Sequence, residues 1–457
     1  MKKIVRKIRP AGWLGISILA GVLVAACAAI EPTVTSRTWQ SRAIPASQAV
    51  VKVVDGQTIQ QRYPWGPWGT TSFDQWPTHA YDSPDYPPPE EAQLPAGLQG
   101  DPDRGRTLFA DSRKGPCTAC HLIPDADIWP MGNVGPDLRT IGDRGLSDSY
   151  LHQVIHDPRV IFGADSPMAP FGASGILSEQ DIADIVAWLQ TLKGNPAGVP
   201  LQVSDDRQWN PFTRDIVRPD YGDSLDPTAN PALDMTADVA VPLWERAGPV
   251  GRSCAGCHGA IGAADETRPL GVIESMVGVG VRYPRWFAQY RRMMSIEDFL
   301  SVHGPETTGH PLPTQGQENL TMTILVKMQS NGLPYRLDVQ DPNVQAAIAR
   351  GQHTFAKRVG QRGQACVDCH TERGGADRFL GGRLLANVDE NMIINHPYYR
   401  TSQGRLWDIR MRMQFCMTPL RTNMLAGDAP EYADLETFLI YKQMQREVTM
   451  LVPRHYH

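Results

Sequence analysis

The chain has no basic excess: 44 lysines and arginines stand against 49 aspartates and glutamates, a formal net charge of −5. Without surplus cations to neutralise phosphates, nucleic acid is not an expected partner. Cysteine is scarce, eight in 457 residues, too few for a disulfide-stapled scaffold of this length. Beyond the N-terminus no apolar run is long enough to span a bilayer. Charged residues at 20% and hydrophobic residues at 41% exclude a disordered polyelectrolyte and fit a globular protein. At roughly 150 residues per domain the length suggests about three domains. The 41 glycines and 38 prolines point to long loops and linkers.

The N-terminus has a different composition. Lys2, Lys3, Arg6, Lys7 and Arg9 precede an apolar stretch from Ala11 to Ala26, which falls short of the ~20 residues of a membrane span. This is the pattern of a signal peptide, expected over residues 1–27. Val24-Ala25-Ala26-Cys27 also resembles a bacterial lipobox, in which Cys27 becomes the lipidated first residue. Plain cleavage nearby, for instance after Ala28, would discard Cys27. Either route predicts an exported, periplasmic protein, tethered to the membrane by a lipid anchor in the first case.

Six of the eight cysteines fall in three copies of C-x-x-C-H: Cys117-Thr-Ala-Cys120-His121, Cys254-Ala-Gly-Cys257-His258 and Cys366-Val-Asp-Cys369-His370. This is the attachment motif of haem c. Two thiols add across the vinyl groups as thioethers, and the adjoining histidine takes the iron as proximal ligand. A zinc site would need paired C-x-x-C units to converge, and a redox dithiol has no use for the histidine. Three covalently bound haems c are expected, and export fits, because this attachment happens outside the bacterial cytoplasm. Cys27 belongs to the leader, which leaves Cys416 without a disulfide partner as a candidate reactive thiol or ligand.

Each motif follows an apolar or aromatic-bearing stretch (Leu108-Phe109, Leu243-Trp244, Thr354-Phe355) and is followed further on by a helical pattern. The first closing helix is predicted over 178–192, capped by Ser178, with Ile182, Ile185, Val186 and Leu189 on one face. The second is predicted from Glu318 to Ser330 with Gly332 as its stop, the third from Pro430 to Met444. A leading helix, a haem motif, a ligand-bearing loop and a closing helix make one cytochrome c unit. The predicted fold is therefore mainly α, with three cytochrome c-type domains in tandem.

Candidate distal ligands recur at nearly one offset from the proximal histidines. Met168 lies 47 positions after His121, His303 lies 45 after His258, and Cys416 lies 46 after His370. Haem c commonly takes Met/His ligation, so Met168 in its proline-flanked loop fits. For the middle motif His310, Met293 and Met294 compete with His303. A free cysteine is often a small buried hydrophobe, but the offset and basic surroundings of Cys416 argue for iron ligation.

These residues resemble the SoxXA cytochromes of sulfur-oxidising bacteria. Cys117 through Lys193 resembles the X subunit, on Asn133-Val-Gly-Pro-Asp-Leu138, Asp157-Pro-Arg159, Met168-Ala-Pro-Phe-Gly172 and the closing helix. Residues from about Pro219 onward resemble the A subunit. The landmarks are Asn230-Pro-Ala-Leu233, Ser253 through Gly259, Val277 through Arg285, His396-Pro397 and Arg412-x-x-x-Cys416. The chain looks like a natural X–A fusion. The organisation expected is a signal peptide (1–27), a Pro/Trp-rich extension (28–100), an X-like cytochrome domain (101–194) and a linker (195–218). Two A-like cytochrome domains (219–340 and 341–457) complete it.

The resemblance implies that the haem nearest the C-terminus is the active one and that Cys416 and Arg412 belong to its catalytic motif. It also implies that Cys416 can carry an extra sulfur as a persulfide. The implied reaction joins thiosulfate to a cysteine thiol of a SoxYZ-type carrier protein and releases two electrons. Two features depart from the family. The middle site reads Leu300-Ser-Val-His303 where many relatives have a cysteine ligand, which implies bis-His ligation. The neighbours of Cys416, Phe415 and Met417, are more apolar than the family's usual acidic ones.

The stretch around Cys416 holds Arg400, Arg405, Arg410, Arg412 and Arg421, with Asp408 the only acid from 400 to 421. These cations suit haem propionates and an anionic sulfur substrate, and they favour the thiolate of Cys416. On a helix Arg412 and Cys416 share a face. Axial Met raises a haem potential and a thiolate lowers it, so electrons are expected to run from the Cys416 site to the Met168 site and out to a small soluble cytochrome c. Two other readings use the same residues: a thiosulfate dehydrogenase that forms tetrathionate without a carrier, and a non-catalytic multihaem electron carrier.

Overall fold

The computed structural model describes residues 52–54, 57–59, 86–194 and 230–448, apart from positions 116, 126–127, 129–130, 390–395, 401–402, 423–424 and 445. The signal-like segment with Cys27, most of the extension and the linker expected at 195–218 lie outside the described residues. All described residues belong to one unit, 41–457.

Helix starts follow local side-chain chemistry. In the first region α1 (Pro102–Ala110) begins with Asp101, whose carboxylate accepts from the amides of Asp103 and Arg104, and with proline in its first turn. After α2 (Asp148–His156) and the short α3 (Arg159–Phe162) comes α4 (Glu179–Thr191), opened by a capping box between Ser178 and Asp181. The apolar face predicted for it (Ile182, Ile185, Val186, Leu189) is buried against Leu108 and Phe109 in a core confined to residues 108–192.

The second region opens with α5 (Pro231–Met235), continues through a π-turn (Thr236–Ala240) into α6 (Val241–Glu245), and reaches α7 (Cys254–His258), one turn built from the haem motif itself. The hairpin β3–β4 (Arg285–Phe287, Arg292–Met294) precedes α8 (Ile296–Thr307), which is opened by a second capping box, Ser295 with Asp298. Helix α9 (Gln317–Met328) is the closing helix, buried along nearly its whole length, and Gly332 beyond it takes positive φ.

The third region has α10 (Pro342–Ala356), the motif turn α11 (Val367–His370), hairpins β5–β6 (Phe379–Leu380, Arg383–Leu384) and β7–β8 (Tyr398–Arg400, Arg405–Trp407), then α12 (Ile409–Leu420) and α13 (Pro430–Lys442). A further hairpin, β1–β2, pairs Lys52–Val54 with Gln57–Ile59.

One device recurs. Gly105 on α1 meets the backbone of Asp184 on α4, and Gly351 on α10 meets that of Asp434 on α13, so closely that a Cβ would collide with the carbonyl. Each glycine follows an arginine, and that arginine grips the same aspartate: Arg104 pairs with Asp184, Arg350 with Asp434 at 2.6 Å. The leading and closing helices of the first and third regions therefore cross with the same chemistry. The second and third regions share one core, which runs from Ala232 to Val448 through Trp244, Leu320, Met322, Trp407, Met411 and Leu439.

Candidate functional site

Cys117, Cys120 and His121 line a cavity of about 1430 Å³ together with Met168, and Cys366, Cys369, His370 and Cys416 line the same cavity. That volume exceeds the ~300–1,000 Å³ of an ordinary single-ligand pocket. Among the described residues no three His, Cys, Asp or Glu side chains converge into a cluster able to hold a metal ion.

Two of the motif histidines are oriented by one bond repeated. His121 Nδ1 donates to Pro136 O at 2.8 Å, and His370 Nδ1 donates to Ala386 O at 2.8 Å. With Nδ1–H committed to a carbonyl, Nε2 keeps its lone pair for a metal, the usual arrangement of a ligating imidazole. Burial also lowers the proton affinity of His121. Gly135 leaves room for the His121 ring, which a Cβ there would strike.

Met168 follows Pro167, whose carbonyl accepts from Gln364 Nε2 at 2.7 Å. At the middle motif the rings of His258 and His303 face each other with centroids 6.0 Å apart, tilted by 59°. An iron bonded at ~2 Å to each imidazole separates ring centroids by roughly 6 Å, so this pair fits a bis-His site. Phe299 stacks on His303 at 4.7 Å, and Trp244 tilts over His258 at 5.8 Å. Of the competing candidates, Met293 and Met294 are buried residues of β4, while the His310 ring reaches Arg246 O at 3.4 Å.

Arg412 and Cys416 both lie on α12, so their four-residue spacing puts them on one face. Burial pushes the Cys416 thiol up. Arg412, a hydrogen bond with His370 and the charge of Arg400 outweigh it, and the thiol ends below its ordinary value, at about 7. Nδ1 of His370 is engaged elsewhere, so Nε2 is the nitrogen available to this sulfur or to an iron between the two. Arg412 lies over the Phe415 ring at 5.2 Å. Arg400 lies over both Trp407 (4.2 Å) and Phe415 (5.0 Å). The apolar neighbour Phe415 thus serves as a platform for two guanidiniums.

Not every arginine expected to face an anion does so. Arg410 is fully buried and holds Asp298 at 2.7 and 2.6 Å and Glu436 at 3.2 Å. Burial lowers a cation's proton affinity, but Asp298 and Glu436 more than reverse that here. Arg410 therefore ties α12 to α8, the helices that carry Cys416 and His303, and is a structural residue.

Two family matches fit this layout. Residues 240–335 match the SoxA/TsdA cytochrome c domain, and residues 102–193 match the cytochrome c domain. The chain carries a SoxA/TsdA-type cytochrome domain. Over 219 residues it is 26% identical to the L-cysteine S-thiosulfotransferase subunit SoxA of Pseudaminobacter salicylatoxidans, covering 48% of this chain and 71% of that one. Over 78 residues it is 41% identical to an uncharacterized lipoprotein of Aquifex aeolicus, covering 17% of this chain and 37% of the relative. The chain thus spans about seven tenths of the first relative's length and just over a third of the second's. The solved structure of SoxXA from P. pantotrophus aligns at a TM-score of 0.42 and 20% identity, over 50% of this chain and 79% of that one.

The SoxA/TsdA-type domain ends before the third motif, and the contacts that sequence reasoning missed lie in that later part. Hairpin β5–β6 lies on the first motif: Gly381 N donates to Ala119 O (2.8 Å), Asn133 N to Phe379 O (2.9 Å), and Phe379 N to Asn133 Oδ1 (2.6 Å). Phe379-Leu380-Gly381-Gly382-Arg383-Leu384 carried the signal, since two glycines at positive φ between paired residues make a two-residue hairpin turn. The described end of the extension touches both the first and the third regions. Glu90 N bonds Asp157 (2.8 Å), Ala92 N bonds Gln153 (2.7 Å), and Tyr86 reaches both Ser174 and Gln361.

Proposed function

We propose that the chain is an exported triple-haem enzyme that joins thiosulfate to a cysteine of a SoxYZ-type carrier. Cys117/Cys120, Cys254/Cys257 and Cys366/Cys369 would attach the haems. His121 with Met168, His258 with His303, and His370 with Cys416 would hold their irons. Haem supplies one-electron acceptance and transfer. The remaining work falls to the chain. Arg412 and Arg400 keep the Cys416 sulfur anionic and draw thiosulfate in as a dianion. The carrier thiol loses its proton, a sulfur–sulfur bond forms between the carrier sulfur and the outer sulfur of thiosulfate, and two electrons leave. Cys416 would act as the anionic sulfur beside the reacting atoms, with or without an added persulfide sulfur.

The observation that carries this reading is Cys416 paired with His370 under two arginines, in the cavity that also holds His121 and Met168. Haems held by Cys416 and by Met168 would differ in potential, thiolate lowering it and Met raising it, which would favour electron flow toward the first region. A small soluble cytochrome c would then collect them. The name of the Aquifex aeolicus relative is in keeping with a lipid anchor through Cys27.

The test is the intact mass of a cysteine-bearing SoxYZ-type carrier after incubation with the protein, thiosulfate and an oxidised cytochrome. A thiosulfonate adduct that disappears with Cys416→Ala is the expected result. An unmodified carrier accompanied by tetrathionate would move the assignment to thiosulfate dehydrogenase, and neither product would leave an electron carrier.

A further inference from the structure

The loop that runs into the third motif, residues 358–364, reaches across to the first region. Arg358 Nη2 donates to Ser166 O (2.9 Å), Gln361 Nε2 to Ser174 O (3.0 Å) and Gln364 Nε2 to Pro167 O (2.7 Å), while Gly363 closes on the Tyr86 ring. Four residues before Cys366, Arg362 lines the shared cavity. Its Nε is buried with no hydrogen-bond partner, and no carboxylate pairs with it among the described residues. The nearby cations are already engaged. Arg358 holds Asp368 at 3.0 Å, and Arg421 Nη1 donates to Gln361 Oε1 at 2.9 Å.

Arg362 sits between Gln361 and Gln364, whose side-chain amides hold Ser174 O and Pro167 O on either side of Met168, so its guanidinium enters the cavity beside the Met168 segment. Burial pulls the Arg362 guanidinium down, helped by Arg421, to about 10, so it stays charged at neutral pH. A permanently charged group in a low-dielectric cavity acts on neighbouring charge far more strongly than one in water.

We propose that Arg362 is a tuning residue lent by the third region to the first haem site: a fixed cation beside the Met168 segment that favours reduced over oxidised iron there. Oxidation adds a positive charge to the site, and a neighbouring guanidinium opposes it. The first site then holds an electron more firmly than its own ligands would dictate, and the element that does this is continuous with the third motif. The proposal rests on the haem reading of Cys117, Cys120 and His121, and it is independent of which sulfur compound reacts at Cys416.

The test is a spectroelectrochemical titration of the full holoprotein, wild type against Arg362→Gln and Arg362→Lys. With Arg362→Gln the ferrous-to-ferric ratio of the Met-ligated haem at fixed ambient potential should fall about tenfold, which is 59 mV for one electron. The other haems should stay within about twofold, and Arg362→Lys should restore most of the ratio. The shift should persist at 1 M salt, where the ~3 Å screening length removes contributions from exposed charges. A change under twofold, a shift common to all haems, or one that vanishes in salt would overturn the proposal. If Arg362→Gln does not fold, the lysine variant with its lysine acetylated supplies the neutral state. Intact mass keeps the two levels apart. A first motif lacking haem sinks the underlying reading, whereas a haem-loaded protein with an unmoved potential sinks the role of Arg362 alone.

Discussion

Replacing Arg410 by methionine removes the buried cation between α8 and α12 while keeping most of the side-chain volume. The guanidinium makes two bonds to Asp298 at 2.7 and 2.6 Å, two to Glu436 at 3.2 Å each and one to Gly427 O at 2.9 Å. The side chains of Arg410 and Asp298 are each 2% exposed, so water cannot take over the orphaned carboxylate. Breaking such a pair by deleting one partner costs about 3–5 kcal/mol. Arg292, 3.5 Å from Asp298, remains as partial compensation and sets the expectation near the lower end, about 3 kcal/mol. At a urea slope of ~3 kcal/mol/M the midpoint of the holoprotein, followed by circular dichroism, should fall by about 1 M. The double variant Arg410→Met/Asp298→Asn strands less charge and should recover more than half of the loss. A single variant within about 0.3 M of wild type, or a double variant less stable than the single, would refute the assignment of Arg410 to structure.

The same cluster sets a pH dependence. Burial, with Glu297 and Asp298 adding to it, raises Glu436 to about 8, and burial with Glu297 raises Asp408 to about 7. Both folded values lie above those of the unfolded chain, so the folded state holds protons that the unfolded state releases. These groups should make stability fall as pH rises from about 4 to 8, read as the urea midpoint across that range. Asp298 runs the other way: burial would raise it, but Arg410 and Arg292 hold it below the ordinary carboxylate value, so its contribution is lost on acidification below about 4. Arg412→Leu removes the largest of the charges that oppose burial at the Cys416 sulfur and one of the two cations proposed to draw thiosulfate in. Formation of the thiosulfonate adduct should slow at least about tenfold with haem still attached, and an unchanged rate would refute the role of Arg412. Asn133→Ala leaves Phe379 N without its acceptor and should cost the contact between hairpin β5–β6 and the first motif about 1–3 kcal/mol. Faster amide exchange at Phe379 and Gly381 measures that loss.

Motif chemistry and local periodicity were legible because they depend on residues close in sequence. The three C-x-x-C-H units, the capping box at Ser178, the buried face of α4 and the shared helical face of Arg412 and Cys416 all follow from local spacing. Equal offsets also led to His303, whose ring lies 6.0 Å from that of His258. What stayed hidden depends on which surfaces meet. An arginine in sequence looks the same whether it faces an anion, as Arg412 can, or disappears between two carboxylates, as Arg410 does. An apolar stripe states that a helix is buried but not against what, so the sharing of one core by the second and third regions could not be read from α9 or α13 alone. Arg362 carries no local signal at all. Its role comes from a loop that crosses between regions separated by some 200 positions in the chain.

Three attachment motifs do not make three separately melting bodies. The core from Ala232 to Val448 is continuous across position 340, and the other large core is confined to 108–192. Heat or denaturant should therefore loosen the chain in two cooperative blocks, one holding the first motif and one holding both others. The same division fixes where the protein tolerates being cut or recombined. A break between 195 and 229 parts two self-contained cores, whereas a break near 340 strands apolar faces on both sides. Fusion or exchange of the first block is thus a change a lineage can survive in one step, while the motifs at 254–258 and 366–370 must be inherited together.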